Sequence, residues 1–280
     1  MIPPALAQAL IALTSLAQAA GVPDDGKDAA GRLAFMRRSL EGYRFARDGE
    51  RGSAFRLQAE PAFRLGKQYT DILEGAIFFW VGADGRPEAA VQVFKVQNAG
   101  APKGLWIHEF SSLSPRPFVA DFDGRPAWSP GTPGVEFRPV PGAEAPAASL
   151  AQRTRQLRAM AQEFKAADDF GKKGWHDLRL LPTPIARYGK PASEPIDGAA
   201  FAFVEGTDPE VLLFLEARPG KDKGAPEWQY ALAPMTVFAV KATLGGRVAW
   251  ELPDRMPAGD PSRPFFDRKY EPGATGVPDR

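Results

Sequence analysis

The chain has two histidines, the residue type best suited to acid–base or metal chemistry near neutral pH. His108 lies in the segment Trp106–Phe110, and His176 is followed directly by Asp177. Residues two apart on a strand share a face, so Glu109 points away from His108. Acid–base catalysis or metal binding would therefore need both histidines to meet a carboxylate such as Asp177 or Glu109. One hypothesis is thus a hydrolase that uses His108 or His176 with Asp177 or another carboxylate.

Other common chemistries lack their residues. There are no cysteines, which excludes disulfides, thiolate nucleophiles and cysteine-ligated metals. The nucleophile-elbow, zinc-protease and dinucleotide-binding motifs do not occur in the sequence. We therefore expect no metal and no cofactor. With 35 Lys and Arg against 34 Asp and Glu, the formal charge is +1, so no overall charge recruits nucleic acid or an anionic membrane.

The two ends of the chain have distinct compositions. An apolar stretch over residues 5–19 ends in Ala17-Gln18-Ala19, a small-x-small pattern that resembles a signal cleavage site. We predict an export signal at residues 1–19 and a periplasmic or secreted location. Because no segment has about 18 uninterrupted apolar residues, we expect no transmembrane segment. Residues 253–280 are rich in Pro, Gly, Asp and Arg, and we expect them to form an irregular tail.

The middle of the chain shows internal similarity at a shift of 123 positions. Arg56, Leu57, Pro61, Arg64, Gly66 and Lys67 correspond to Arg179, Leu180, Pro184, Arg187, Gly189 and Lys190. Trp106 and Trp128 have the same separation as Trp228 and Trp250. Such a pattern predicts a tandem duplication. We place the first repeat at residues 30–140 and the second at 147–252.

Each proposed repeat begins with a helical pattern and continues with strand patterns. Apolar residues at helical spacing predict helices over Arg32–Ala46 and Leu150–Asp169. The following segments alternate with period two and are separated by turn signals such as Asp123-Gly124 and Gly245-Gly246. The sequence therefore predicts an α+β fold. Each half would have one helix followed by an antiparallel meander of about five or six strands, with the two sheets joined or packed together.

Two groups of side chains in these strands are candidate ligand contacts. Aromatic residues on strands flanking the first hairpin of each half could line an apolar groove; they are Phe78, Trp80, Phe201 and Phe203. Arginines at corresponding positions of the two halves could bind an anion; they are Arg56, Arg64, Arg179 and Arg187. The alternative for the arginines is a solvated surface charge or a cross-strand ion pair.

Two segments of the second half, Trp175–Pro182 and Gly206–Glu210, resemble an exported bacterial protein family of unknown function. The resemblance implies export and brings no activity with it. At the level of fold alone, an export signal, a leading helix and a large antiparallel sheet also resemble periplasmic lipoprotein carriers, whose half-barrel holds acyl chains. That analogy implies an apolar site between sheet and helices.

These observations favour a non-catalytic, exported binding or structural protein that holds an apolar ligand between sheet and helices. Two alternatives stay open. One is the hydrolase, which requires a histidine within hydrogen-bond reach of a carboxylate in a cleft. The other is a surface assembly module whose edge strands pair with a protein partner.

Overall fold

A computed structural model describes most of the chain. The described residues are 28–47, 54–66, 72–98, 101–170, 174–190, 194–220, 225–254, 256–257 and 259–270. The predicted export signal at residues 1–19 lies outside them, so export stays a prediction. Among the described residues, no helix has the length and apolar character needed to cross a membrane.

Two helices and eighteen strands are present in these residues. The first part of the chain forms α1 (Ala29–Ser39), β1 (Tyr43–Arg47), β2 (Arg56–Leu57), β3 (Phe63–Leu65), β4 (Ile72–Val81), β5 (Pro87–Asn98), β6 (Ala101–Ser112), β7 (Phe118–Phe122), β8 (Arg125–Trp128) and β9 (Arg138–Pro139). The second part forms α2 (Leu150–Gln162), β10 (Phe164–Asp168), β11 (His176–Leu180), β12 (Ala186–Tyr188), β13 (Asp197–Glu205), β14 (Asp208–Pro219), β15 (Pro226–Pro234), β16 (Val240–Leu244), β17 (Arg247–Leu252) and β18 (Phe265–Tyr270).

The strands form three antiparallel sheets, one of which is a half-barrel. The smallest sheet has the order β1-β7-β8. A six-stranded sheet has the order β18-β6-β5-β4-β2, and β3 also pairs with β4. A nine-stranded sheet has the order β17-β16-β10-β11-β13-β14-β15-β9, and β12 also pairs with β13. Strands from distant parts of the chain thus lie side by side, as β18 does beside β6.

The predicted fold class, a tandem α+β duplication of helix-plus-meander halves, is wrong. The fold is mostly β, with 52% strand and 12% helix, and the strands of the first half divide among three sheets. Both predicted helices were too long. Tyr43–Arg47 and Phe164–Asp168 are strands β1 and β10, because side chains such as Phe45 alternate with exposed neighbours and fill a sheet face.

The two large sheets face each other across an apolar core. Ile77 and Phe79 of β4 meet Leu212 and Phe214 of β14 in this central layer. Alternate residues of β4, such as Trp80, point to the opposite side, where they pack under α1 and the smallest sheet. A third cluster lies under α2 on the outer side of the nine-stranded sheet. Each large sheet is therefore covered on both faces, which explains the continuous burial along β4 and β13.

Two hairpin turns match their sequence signals. Asp123 and Gly124 connect β7 to β8 with φ of 49° and 76°. Gly245 and Gly246 connect β16 to β17 with φ of 56° and 80°. Two consecutive positive φ angles are what a two-residue hairpin loop requires, and glycine accepts them without strain. Both hairpin predictions are confirmed.

Candidate functional site

A pocket of about 340 Å³ lies between α2 and the outer face of the nine-stranded sheet. We call it the α2 pocket. Its lining consists of Leu150, Thr154, Leu157, Arg158, Pro184, Arg187 and Phe201. The volume falls at the lower end of the range of about 300–1,000 Å³ that is usual for small-molecule sites.

Helix α2 supplies one wall of the pocket through four residues on one face. Leu150, Thr154, Leu157 and Arg158 follow the spacing i, i+4, i+7 and i+8, which aligns side chains along a helix. Ser149 caps the helix, because its Oγ accepts a hydrogen bond of 3.2 Å from the backbone N–H of Gln152. Leu157 is buried in the core, whereas Leu150 is 61% exposed at the mouth of the pocket.

The sheet supplies the opposite wall. Phe201 lies on β13 with its side chain in the cluster beneath α2. Arg187 lies on β12, where its backbone is paired with Ala199 of β13. Pro184 precedes β12 and completes the apolar surface. The pocket therefore combines an apolar floor with guanidinium groups.

A carboxylate at the start of β13 holds two arginine side chains in place at one side of the pocket. Asp197 is buried and accepts bonds from two arginines, Arg153 Nε to Oδ2 at 2.7 Å and Arg187 Nη2 to Oδ1 at 2.6 Å. Arg187 Nη1 also donates to Thr154 Oγ1 at 3.1 Å. Arg158 is exposed and makes no ion pair with any residue that the structure describes.

His108 is a fully buried residue of the core beneath α1. Its Nε2 lies 3.0 Å from Ser39 Oγ, and its Nδ1 lies 3.2 Å from Tyr43 Oη. Because Ser39 Oγ already donates to the Met36 carbonyl, the consistent assignment has Nε2–H donating to Ser39 and the Tyr43 hydroxyl donating to Nδ1. Burial and the charge of Arg268 lower the pKa of His108 to about 3, so the ring is neutral at physiological pH.

The other catalytic candidates lie elsewhere. His176 and Asp177 are exposed on β11, and the backbone of His176 is paired with Asp168 of β10. The hydrogen-bond partners of His108 among the described residues are hydroxyls and not a carboxylate. The structure therefore does not bring the two histidines together with Asp177.

Of the predicted ligand contacts, the α2 pocket contains Phe201 and Arg187. Phe78 and Trp80 lie in the packed core beneath α1, where Phe45 stacks on Trp80 with ring centroids 4.2 Å apart. Phe203 is buried beneath α2 but does not line the pocket. The remaining predicted arginines are exposed outside the pocket lining: Arg56, Arg64 and Arg179.

A buried ion network connects the two large sheets; it consists of Arg47, Arg86, Glu88, Glu216 and Arg218. Arg86 Nε donates to Glu216 Oε1 at 2.8 Å, and Arg218 Nη1 donates to Glu216 Oε2 at 2.6 Å. Glu88 lies 2.7 Å from Arg47 and 3.5 Å from Arg86. Glu194 also lies 3.1 Å from Arg218, so the three arginines have three carboxylate partners and the network is structural.

A second polar group at the sheet interface is the acidic cluster, which we define as Glu109, Asp168, Asp208 and Glu210. Gln92 Nε2 donates to Asp208 Oδ1 at 2.7 Å. Burial raises the pKa of Asp168 to about 6 and that of Asp208 to about 7, and it also raises the pKa values of Glu109 and Glu210. Within the described ranges, no group of three or more ligating side chains could hold a metal ion.

Sequence reasoning missed five of the seven pocket residues: Leu150, Thr154, Leu157, Arg158 and Pro184. One signal was available: α2 contains Arg153, Arg155 and Arg158 and no acidic residue, so its positive charge has no compensation within the helix. The spacing of Arg158 from Leu150 and Leu157 would then have placed one of these arginines beside the apolar face.

No protein-family model matches the chain, no curated protein matches it in sequence, and no solved structure matches it in fold. The family resemblance of Trp175–Pro182 and Gly206–Glu210 therefore stays an expectation.

Proposed function

We propose that the protein is a non-catalytic binding protein that holds a small apolar molecule in the α2 pocket. The observation that carries the proposal is an unfilled volume of about 340 Å³ bounded by Leu150, Leu157, Pro184 and Phe201. Small-molecule sites are concave and mostly apolar, and this open cleft has both properties.

The position and exposure of Leu150 support a binding role for the pocket over a purely structural one. Leu150 is 61% exposed at the first position of α2, so an apolar surface continues from solvent to the buried Phe201. A bound apolar molecule would remove this surface from water and gain about 25 cal/mol for each Å² buried. A packing defect enclosed within the core would offer no route of entry.

The proposal predicts saturable binding of a neutral apolar probe. Isothermal titration calorimetry with 1-octanol should give a dissociation constant in the millimolar range or tighter, as expected for about ten heavy atoms. Leu150→Trp places a larger side chain at the mouth and should weaken binding at least tenfold. The control is Ala151→Trp, which adds an indole at the next, exposed position of α2 outside the pocket lining.

Binding that is equal in the wild type, Leu150→Trp and Ala151→Trp would place the probe elsewhere and contradict the proposal. Absence of any saturable heat would contradict it as well. Because Leu150 is largely exposed, the substitution is not expected to unfold the protein, and circular dichroism of both variants checks this directly.

A further inference from the structure

The α2 pocket has an excess of positive charge. Arg153, Arg158 and Arg187 carry three positive charges at or beside the pocket, and Asp197 carries one negative charge. Asp197 is the one carboxylate in contact with these arginines among the described residues. The balance leaves two uncompensated positive charges next to an apolar cavity.

Two of these guanidinium groups have N–H donors available to a ligand. Arg187 uses Nη2 for Asp197 and Nη1 for Thr154, and a guanidinium has five N–H donors. Arg158 makes no contact with a carboxylate in the described part of the chain, and its side chain lines the pocket. Both residues therefore can donate to an anion that enters between α2 and β12.

We propose that the ligand of the α2 pocket is a small anionic amphiphile, whose charged group binds Arg158 and Arg187 and whose apolar tail lies on Leu157 and Phe201. This inference rests on the proposed function, because it assigns the ligand class of the same site. An arginine fork suits a carboxylate or another oxyanion, since its N–H groups match two oxygens.

The apolar lining distinguishes an amphiphile from a simple inorganic anion. Leu150, Leu157, Pro184 and Phe201 cannot donate hydrogen bonds, so a fully hydrated ion would lose solvation there without compensation. A tail of several methylene groups instead gains about 0.8 kcal/mol for each group buried. The two kinds of lining are therefore complementary to the two ends of one molecule.

Three probes separate the contributions of charge and tail. Octanoate carries both, 1-octanol carries the tail alone, and acetate carries the charge alone. Calorimetry with the full-length protein at 20 mM NaCl should show octanoate binding about tenfold tighter than 1-octanol, with acetate weakest. Raising NaCl to 500 mM should weaken octanoate binding and leave 1-octanol binding unchanged, because salt screens only the ionic interaction.

The variant Arg158→Gln tests the assigned position. It removes an exposed charge without an ion-pair partner among the described residues, so the fold should not change. Octanoate affinity should fall about tenfold while 1-octanol affinity stays within a factor of two. Arg155→Gln is the matched control, since Arg155 is also exposed on α2 but does not line the pocket.

The outcomes are separable. Equal affinities for octanoate and 1-octanol in the wild type would overturn the anionic assignment and leave the proposed function standing. Acetate binding as tight as octanoate would overturn the amphiphile and indicate a simple anion site. If Arg155→Gln abolished the octanoate preference and Arg158→Gln preserved it, the assignment of the charged group to Arg158 would be overturned. Binding by none of the probes would overturn the proposed function itself.

Discussion

Glu216 accepts three side-chain hydrogen bonds within the described part of the buried ion network, one of which comes from the other large sheet. Its two carboxylate oxygens accept from Arg86 at 2.8 Å and from Arg218 at 2.6 Å, and the Tyr188 hydroxyl also donates to it at 2.8 Å. Arg86 and Glu216 are 130 positions apart, so no local sequence pattern predicts their pairing. Contacts between individual side chains that are distant in sequence are therefore the feature that the sequence predicts least well.

The ion network predicts a large effect for Glu216→Gln. The substitution keeps the shape of the side chain but removes the closer counter-charge of the buried Arg86 guanidinium, which then has Glu88 at 3.5 Å. The expected loss of unfolding free energy is about 3–5 kcal/mol. Glu194→Gln is the control, because Glu194 also contacts Arg218 but is mostly exposed, and its loss should be about 0–1 kcal/mol.

Urea unfolding followed by circular dichroism measures both variants. A loss below about 1 kcal/mol for Glu216→Gln would show that water or rearrangement satisfies Arg86, and it would contradict the structural role assigned to the network.

At the scale of elements, sequence patterns identified most strands and several turns but misassigned two ends of helices. The strand patterns around Phe78 and Phe201 were recognised because they depend only on neighbouring residues. Tyr43–Arg47 directly follows a helical pattern, and five residues are too few to separate the two periods. Phe265–Tyr270 lies among Pro, Gly and charged residues, so its pairing with β6 is not visible locally.

Helix α2 positions half of the pocket, and its start depends on Ser149. Ser149→Ala removes the acceptor for the Gln152 N–H and should lower the unfolding free energy by about 1 kcal/mol. Because Leu150 and Thr154 lie in the first turns, 1-octanol binding should weaken as well. Ser149→Asp retains a capping acceptor and should restore most of both properties.

Urea unfolding measures the change in unfolding free energy, and calorimetric titration measures the change in 1-octanol affinity. Equal losses in Ser149→Ala and Ser149→Asp would attribute the role of Ser149 to its other hydrogen bond, with the Gln152 side chain at 2.9 Å, and not to capping.

For the molecule as a whole, the acidic cluster determines how stability responds to pH. The pKa values of about 6 for Asp168 and about 7 for Asp208 exceed the unfolded value near 4, so the folded state binds more protons between these limits. Stability should therefore rise as the pH falls from 8 towards 5. His108 opposes this below pH 6.5, because its lowered pKa makes the unfolded state the better proton acceptor.

The urea midpoint should thus be higher at pH 5 than at pH 8. Asp168→Asn removes one buried charge and should raise the unfolding free energy at pH 8 by about 1–3 kcal/mol, with no gain at pH 4. The control is Asp177→Asn, which changes an exposed carboxyl on the adjacent strand and should leave the profile unchanged. A midpoint that falls steadily from pH 8 to pH 5 would show that these carboxyls are ionised in the folded protein.

The division of strands into three sheets could not be derived from local patterns either. The apolar run at Trp80 or Phe203 indicates a buried strand, but the same run suits any neighbouring strand. Corresponding segments of the two halves join different sheets, since β1 and β7 form their own sheet while β10 and β16 extend the largest one. That choice depends on contacts between distant residues, which the sequence alone does not display.

Strand β18 is synthesised near the end of translation, yet it pairs with β6 from the first half of the chain. Phe265 pairs with Ser111 and Tyr270 with Trp106, so the outer border of β6 is closed by residues that leave the ribosome long after β6 itself. A nascent chain ending before Phe265 exposes that border together with the aromatic ring of Phe110, against which Phe266 stacks. Open borders of this kind pair readily with other chains, so incomplete translation products should aggregate where the finished protein does not.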